Sequence, residues 1–278
     1  MINILLATYN GEQYLKEQID SLLSQTYQEF KILVRDDNSK DSTINIIQEY
    51  EKVYPVKIKL IQDDFGNLGS SKSFMKLLEY SDREYIMFCD QDDVWLPNKI
   101  ELSLQKIKEL ENETKIDIPL LVFSDLHVVN ESLKIIENSF WKYQKLIPKT
   151  AKNWKKLVAQ NVITGCTIIM NKRAKEVSLP FVLDMMIHDQ WIGVNVAKYG
   201  KIAYIDKQTI LYRQHGKNVA GAHSYGFKYI SSKLMQIKKI LNYFQQASKY
   251  FKEISILEII FYKMQTNISR LVIKNEKN

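Results

Sequence analysis

Cysteine, proline and glycine are scarce in this 278-residue chain, which has 2 Cys, 5 Pro and 9 Gly. Two cysteines, Cys89 and Cys166, cannot build a disulfide framework, and their apolar surroundings suit a reducing cytosol. The low glycine and proline content excludes a collagen-like or low-complexity chain. No run of about 18 apolar residues occurs, so no transmembrane helix is expected. Met1-Ile2-Asn3-Ile4-Leu5 has no basic stretch before it, which argues against a signal peptide. Gly11 stands alone after the first apolar run, so the Gly-x-Gly-x-x-Gly turn of dinucleotide-binding domains is missing, as is a P-loop. The four histidines (His127, His188, His215, His223) lack zinc-like spacing, and neither Cys-x-x-Cys nor His-Glu-x-x-His is found.

What remains is a chain that is 45% hydrophobic, 26% charged and 11% aromatic, enough for a sizeable packed core. Its net charge of +7 is localised. From Gly221 to Asn278 ten Lys or Arg face three Glu, an excess equal to the charge of the whole chain, so residues 1–220 are neutral. The only plausible boundary lies near Gly221–Gly226, dividing a body of residues 1–222 from a basic helical extension of residues 223–278.

Short β-branched runs alternate with helical patterns in the first half. Strands are predicted at Ile2–Ala7, Phe30–Arg35, Val56–Ile61, Tyr85–Cys89 and Leu120–Ser124, with helices at about Glu12–Ser24, Asp41–Glu51, Ser70–Tyr80 and Pro97–Leu110. This spacing predicts an α/β fold, a mostly parallel sheet with helices on both faces. Leu126–Ile136 reads as a hairpin-like excursion. Later strands are expected at Thr167–Met170, Ile202–Ile205 and Gln208–Tyr212, a helix at Ile187–Lys198, and two long helices from Ser224 that break near Gln246–Lys249.

Ligands of open α/β sheets bind beyond the carboxyl ends of the strands. Those ends here read Ala7-Thr8-Tyr9-Asn10-Gly11, Arg35-Asp36-Asp37-Asn38-Ser39, Asp64-Phe65-Gly66-Asn67 and Asp90-Gln91-Asp92-Asp93. Without a glycine-rich phosphate cradle, a diphosphate would need a divalent cation held by carboxylates. Three acids within four residues at 90–93 supply them, although Asp92 or Asp93 could equally cap the next helix.

Three segments together resemble family 2 glycosyltransferases of the GT-A fold: Ala-Thr-Tyr-Asn at 7–10, Arg-Asp-Asp-Asn-Ser-Lys-Asp-Ser-Thr at 35–43 and Cys-Asp-Gln-Asp-Asp-Val-Trp-Leu-Pro at 89–97. Met-Ile-His-Asp-Gln-Trp at 186–191 and Leu-Tyr-Arg-Gln-His-Gly at 211–216 extend the likeness to about residue 222, and this second set is most similar to bacterial rhamnosyltransferases of surface polysaccharide synthesis. The resemblance implies a mixed, mostly parallel sheet, flanking helices and a C-terminal helical extension. It implies that Thr8 and Asp37 contact the base and ribose, with Tyr9 and Asn10 shaping the pocket. Asp90 and Asp92 would be the acids of a DXD motif, serving the ribose and a Mg²⁺ or Mn²⁺ on the diphosphate, with Asp93 as an additional acid. Asp189 would be the catalytic base, and His215 a late metal or diphosphate contact.

Elementary chemistry fits these roles. Charge develops on the leaving diphosphate, where Asp92-bound metal, Arg213, His215 or Lys217 would stabilise it. The acceptor hydroxyl needs a carboxylate to take its proton, and one in-line displacement inverts the anomeric centre. Asp189 could otherwise be a helix N-cap. Trp141 is read as either core or acceptor contact, and Trp191, on the buried side of its helix, is assigned with it to the acceptor. Cys166 reads as a packed thiol, and Gly165 as a place where backbone passes close to a bound sugar. The expected donor is dTDP-β-L-rhamnose, with a UDP-hexose as competitor, and the expected acceptor a lipid-linked or growing glycan. A non-catalytic nucleotide-sugar or glycan-binding module is the alternative class. The basic, aromatic tail suits an anionic membrane at the cytoplasmic face, or packing against the body or a second subunit; no nucleic-acid module is visible.

Overall fold

The computed structural model describes residues 1–216 and 236–272. A nine-stranded mixed sheet runs through it in the order β3-β2-β1-β4-β8-β6-β9-β5, with β7 paired to β6. Strands β1 (Ile2–Thr8), β2 (Phe30–Asp36), β3 (Ile58–Leu60) and β4 (Tyr85–Cys89) are mutually parallel neighbours. Strand β8 (Ile169–Asn171) lies antiparallel between β4 and β6 (Leu120–Val129). Strand β9 (Lys201–Arg213) runs parallel to β6, and the two-residue β5 (Val94–Trp95) closes the far edge against it.

Central strands of such a sheet are covered on both faces and so carry unbroken apolar runs. Ile4, Leu5 and Leu6 of β1 are fully buried, as are Ile86, Met87 and Phe88 of β4. The polar exception, buried Asn3, is held by its Oδ1, which accepts from Ser81 Oγ and from the backbone N–H groups of Asp82 and Arg83. Helices present narrow apolar stripes to this sheet: Leu15, Ile19 and Leu22 on α1 (Leu15–Leu23), Ile46 and Ile47 on α2 (Thr43–Val53), Phe74, Leu77 and Leu78 on α3 (Ser70–Tyr80), and Ile100, Leu104 and Ile107 on α4 (Lys99–Thr114).

Several elements differ from the sequence expectation. Strand β6 continues five residues past Ser124 and pairs with β7 (Ile135–Glu137), so the excursion is a hairpin grown from β6 itself. The strands expected at Ile202–Ile205 and Gln208–Tyr212 are one strand, β9. Its register against β6 jumps from Ser124↔Ile205 to Asp125↔Gln208, and the intervening Asp206 and Lys207 form a bulge that mimics a turn in sequence. Short helices α5 (Phe140–Tyr143), α6 (Trp154–Ala159) and α7 (Lys172–Ser178) precede α8 (His188–Tyr199) and were not legible as periodic patterns. The two C-terminal helices, α9 (Ile237–Tyr250) and α10 (Ile256–Val272), break at 251–255 rather than 246–249, because Phe251 and Ile254 are buried in the turn. The proposed boundary near Gly221–Gly226, the helical start at Ser224 and Lys217 lie outside the described residues. No helix among the described residues is long and apolar enough to cross a membrane.

Candidate active site

Parallel pairing brings the carboxyl ends of β1, β2 and β4 level, with Thr8 opposite Asp36 and Leu6 opposite Cys89. Three loops therefore open on one edge. The first is tied to the second: Asn10 takes a positive φ of 47°, its backbone N–H donates to Ser39 Oγ, and its Oδ1 accepts from the Lys40 N–H. The first is tied to the acidic turn as well, because the Gln91 carboxamide accepts from the Tyr9 N–H at 2.8 Å and donates to the Tyr9 carbonyl at 2.9 Å. A Cβ at Gly11 would collide with that carboxamide and displace it from Tyr9.

Tyr9 and Asn10 are exposed on this rim, whereas Thr8 and Asp37 lie beneath it. The Thr8 hydroxyl donates to Asp36 at 2.9 Å. Asp37 accepts from Arg35 and from the Leu68 and Gly69 N–H groups, and those hydrogen bonds hold its carboxyl below its ordinary range despite burial. Arg35, 1% exposed, also grips Asp63 at 2.8 Å, Ser73 and the Gly66 carbonyl. Thr8 and Asp37 thus shape the loops through protein partners, a role the motif alone did not reveal.

The acidic turn divides its carboxylates. Asp90 is half-buried, and burial, then the charges of Asp92 and of Asp189, push its pKa up to about 7. Asp92 meets His215 Nε2 at 2.7 Å, and the Tyr14 ring packs tilted against that imidazole at 5.0 Å. Asp93 is fully buried and accepts from the Arg213 N–H; burial and the Asp92 and Asp90 charges push its pKa well above the usual range. This corrects the expectation of a donor contact from Asp93, which is an internal strut fastening the turn to β9. Arg213 is corrected likewise. Its guanidinium is buried over the Tyr14 ring and engages Glu17, the Glu131 carbonyl and the Asp92 carbonyl, so it braces the turn from behind. Lys99, invisible to motif reading, lies fully buried under the turn, 4.4 Å over the Trp95 ring, and burial lowers its pKa to about 8.

Asp189 occupies the first turn of α8, beyond the position that would cap it, since Ile187 is the N-cap. Its Oδ1 accepts from the Gln190 N–H at 2.6 Å and from Asn161 Nδ2 at 3.0 Å; its Oδ2 accepts from the Gly165 N–H at 3.1 Å. Burial outweighs these donors and raises its pKa to about 7. His188 packs against Phe74 at 4.5 Å and Phe88 at 5.7 Å, and its apolar surroundings depress its pKa to about 3, so it is a neutral ring beside the carboxylate. A Cβ on Gly165 would lie 2.7 Å from His188 Nε2. The glycine therefore admits the His188 ring, which corrects its reading as a backbone approach to sugar.

The two acceptor tryptophans are core. Trp191, 1% exposed, donates its indole N–H to the Ser178 carbonyl and packs with Phe181, Tyr250 and Phe251. Trp141, 6% exposed, packs edge-on against Phe123 and Tyr204. Neither indole can reach an acceptor, because each fills a closed apolar layer.

The donor set at 90–93 suits a divalent cation. Asp92 and His215 offer oxygen and nitrogen at a partly open position, with the Asp90 carboxyl close by in the same turn. Cys166 Sγ and one oxygen each from Asp90 and Asp93 also fall within 4.8 Å of one another, but burial pushes the thiol pKa well up, so it stays protonated.

Comparison with known proteins matches this geometry. The model of glycosyl transferase family 2 matches residues 3–177. The dTDP-rhamnosyl transferase RfbG of Shigella flexneri is 31% identical over 240 residues, covering 81% of this chain and 76% of that protein. The Escherichia coli UDP-Glc:alpha-D-GlcNAc-diphosphoundecaprenol beta-1,3-glucosyltransferase WfgD is 26% identical over 208 residues, 74% of this chain and 73% of its own. Among solved structures, Staphylococcus aureus TarS 1–349 in complex with UDP-GlcNAc superposes with a TM-score of 0.59 at 19% identity, over 98% of this chain and 73% of that one. Mannosyltransferase PcManGT of Pyrobaculum calidifontis, in complex with GDP-Man and Mn²⁺, gives 0.58 at 13% identity, over 89% and 64%. With its sheet order, its acidic turn and the extent of these matches, the chain belongs to glycosyltransferase family 2, the inverting nucleotide-sugar transferases of the GT-A fold.

Proposed function

We propose that this enzyme transfers L-rhamnose from dTDP-β-L-rhamnose to a hydroxyl of a lipid-linked or growing cell-surface polysaccharide. One observation supports the mechanism: Asp90 feels the charges of both Asp92 and Asp189, which brings the acidic turn and the buried carboxylate within electrostatic reach of one another. The likeness to RfbG supports rhamnose as the donor sugar.

In this reading Thr8 and Asp37 contact the base and ribose, Tyr9 and Asn10 shape that pocket, Asp90 meets the ribose, and Asp92 with His215 would hold Mg²⁺ or Mn²⁺. A bound divalent cation would supply neutralising charge for the departing diphosphate. Lys217 is assigned to the same diphosphate. Asp189, with its pKa near 7, is half-ionised at neutral pH and takes the proton of the acceptor hydroxyl as oxygen attacks the anomeric carbon from the face opposite the diphosphate. Gly165, Gln190 and Asn161 aim the carboxylate, so little reorganisation accompanies proton transfer. A lipid-linked acceptor places the enzyme at the inner face of the cell membrane, and the exposed Lys238, Lys239, Lys249 and Lys252 would favour that anionic surface.

A UDP-hexose is the second reading, favoured by the likeness to WfgD. Incubation of the full chain with dTDP-rhamnose, UDP-glucose or UDP-galactose, Mn²⁺ and lipid-linked acceptors, with detection of nucleoside diphosphate and glycosylated product, tests both. Product from dTDP-rhamnose alone supports the first reading. Product from a UDP-hexose alone replaces it with the second, and absence of product from every pair favours a binding module.

A further inference from the structure

Helix α10 is amphipathic in the reverse sense. Its inward face carries Lys263, Thr266 and Arg270 beside Ile259; Lys263 donates to Gln160 Oε1, and Arg270, 1% exposed, to the Gln144 carbonyl. Its outward face is apolar. Leu257, Phe261, Met264, Ile268 and Leu271 are 78, 61, 58, 59 and 61% exposed, and Val272 beside them 73%. Monomeric surfaces leave large aliphatic and aromatic side chains exposed singly, not in a continuous ridge.

The spacing of the ridge identifies its occupant. Steps of four, three, four and three residues reproduce the a/d seam of a coiled coil over two heptads, the pattern that seats knobs of one helix into holes of another. The positions flanking the seam are Glu258, Ile260, Gln265, Asn267 and Val272. Only Glu258 is charged, and Lys155 holds it at 2.8 Å. A seam flanked this way carries no like-charge repulsion against its own copy. It also lacks the lysine and arginine border by which a helix grips an anionic bilayer, since the two cations of α10 are turned inward. Six side chains at this exposure present on the order of 700 Å², close to the ~800 Å² per partner of a standard interface. The helix is already ordered against the body, so pairing would not have to fold it.

We infer that the outward face of α10 is a homodimer interface, the seam of one copy packing on that of a second about a two-fold axis near Met264. In any such isologous pairing the central residue of the ridge meets its own counterpart.

Sedimentation of the full chain over a dilution series tests this. Wild type should sediment at twice 32.7 kDa and dissociate on dilution. The double variant Phe261→Glu/Ile268→Glu should halve that mass while keeping the wild-type circular dichroism and melting profile. Met264→Cys should form a covalent dimer under copper–phenanthroline oxidation, and the same substitution in the double variant should not. A wild type that stays monomeric throughout the series would overturn the inference. So would a double variant that remains dimeric, or a monomer that floats with phosphatidylglycerol vesicles through these same side chains.

Discussion

Replacing Asp189 with asparagine keeps the side-chain shape but removes its capacity to accept a proton. Loss of a positioned general base costs about 10²–10⁴-fold in turnover, and the donor KM should change little because the nucleotide is proposed to rest on other residues, at the strand ends and the acidic turn. The stability consequence follows from the position of the carboxyl. Its folded pKa of about 7 stands above the ordinary 3.8, so between those values the folded chain retains a proton that the unfolded chain has released. Metal-free wild type should therefore be most stable, with respect to this group, at the acid end, lose that stability as pH rises through the window, and level off above about 7. The gap between the two values corresponds to about 4 kcal/mol, on the order of 10 °C in Tm for a chain of this size. The asparagine variant carries no charge and escapes that loss, although its amide NH₂ opposes one of the donors from Gly165 or Asn161, a pH-independent penalty of about 1–3 kcal/mol. Thermal melts of both proteins in EDTA from about pH 4 to about pH 8 should diverge progressively in favour of the variant. Parallel Tm profiles, or a variant with wild-type turnover, would refute the assignment.

Three further outcomes are expected. Mn²⁺ with dTDP or UDP should stabilise the folded chain by about 2.7 kcal/mol at a hundredfold excess over Kd, and Asp92→Asn or His215→Ala should reduce that gain; an equal gain in EDTA would remove the metal from Asp92 and His215. Gly165→Ala should cost about 1–3 kcal/mol in urea denaturation, because His188 is hemmed by Phe74 and Phe88 and cannot yield, and should lower kcat by displacing the N–H that aims Asp189; wild-type values for both would contradict the packing. Arg35→Met should cost about 3–5 kcal/mol by leaving Asp37 and Asp63 without their buried partner, and a change below about 1 kcal/mol would show that the cluster is not held by charge.

Much of the fold was legible because the first four strands and helices carry clean periods. Ile4-Leu5-Leu6 and Ile86-Met87-Phe88 read as central strands from their unbroken apolar runs, and burial on both faces is the reason. Elements governed by a few long-range hydrogen bonds were not legible. Strand β5 has two residues and exists because β9 lies beside it, while the bulge at Asp206 and Lys207 looks like a turn until β6 fixes its register. Trp191 and Trp141 misled for a related reason: an aromatic near a motif has the same sequence signature whether it stacks on a sugar or fills a layer of core.

The sequence alone determined the chemical inventory: the family, the acidic turn at 90–93, Asp189 as a separate carboxylate, and the confinement of net charge to the C-terminal end. Residue type and local spacing are sufficient for such properties. Only the tertiary structure decided which of those groups face solvent and which brace the loops from within. Asp93 and Arg213 stand beside Asp92 and His215 in sequence, yet the first pair is locked to the body and the second meets at a partly open position. The pKa of Asp189 near 7, the neutrality of His188 and the outward turn of the apolar face of α10 also arise from burial. Burial depends on what the rest of the chain places around each residue, and no local pattern encodes it.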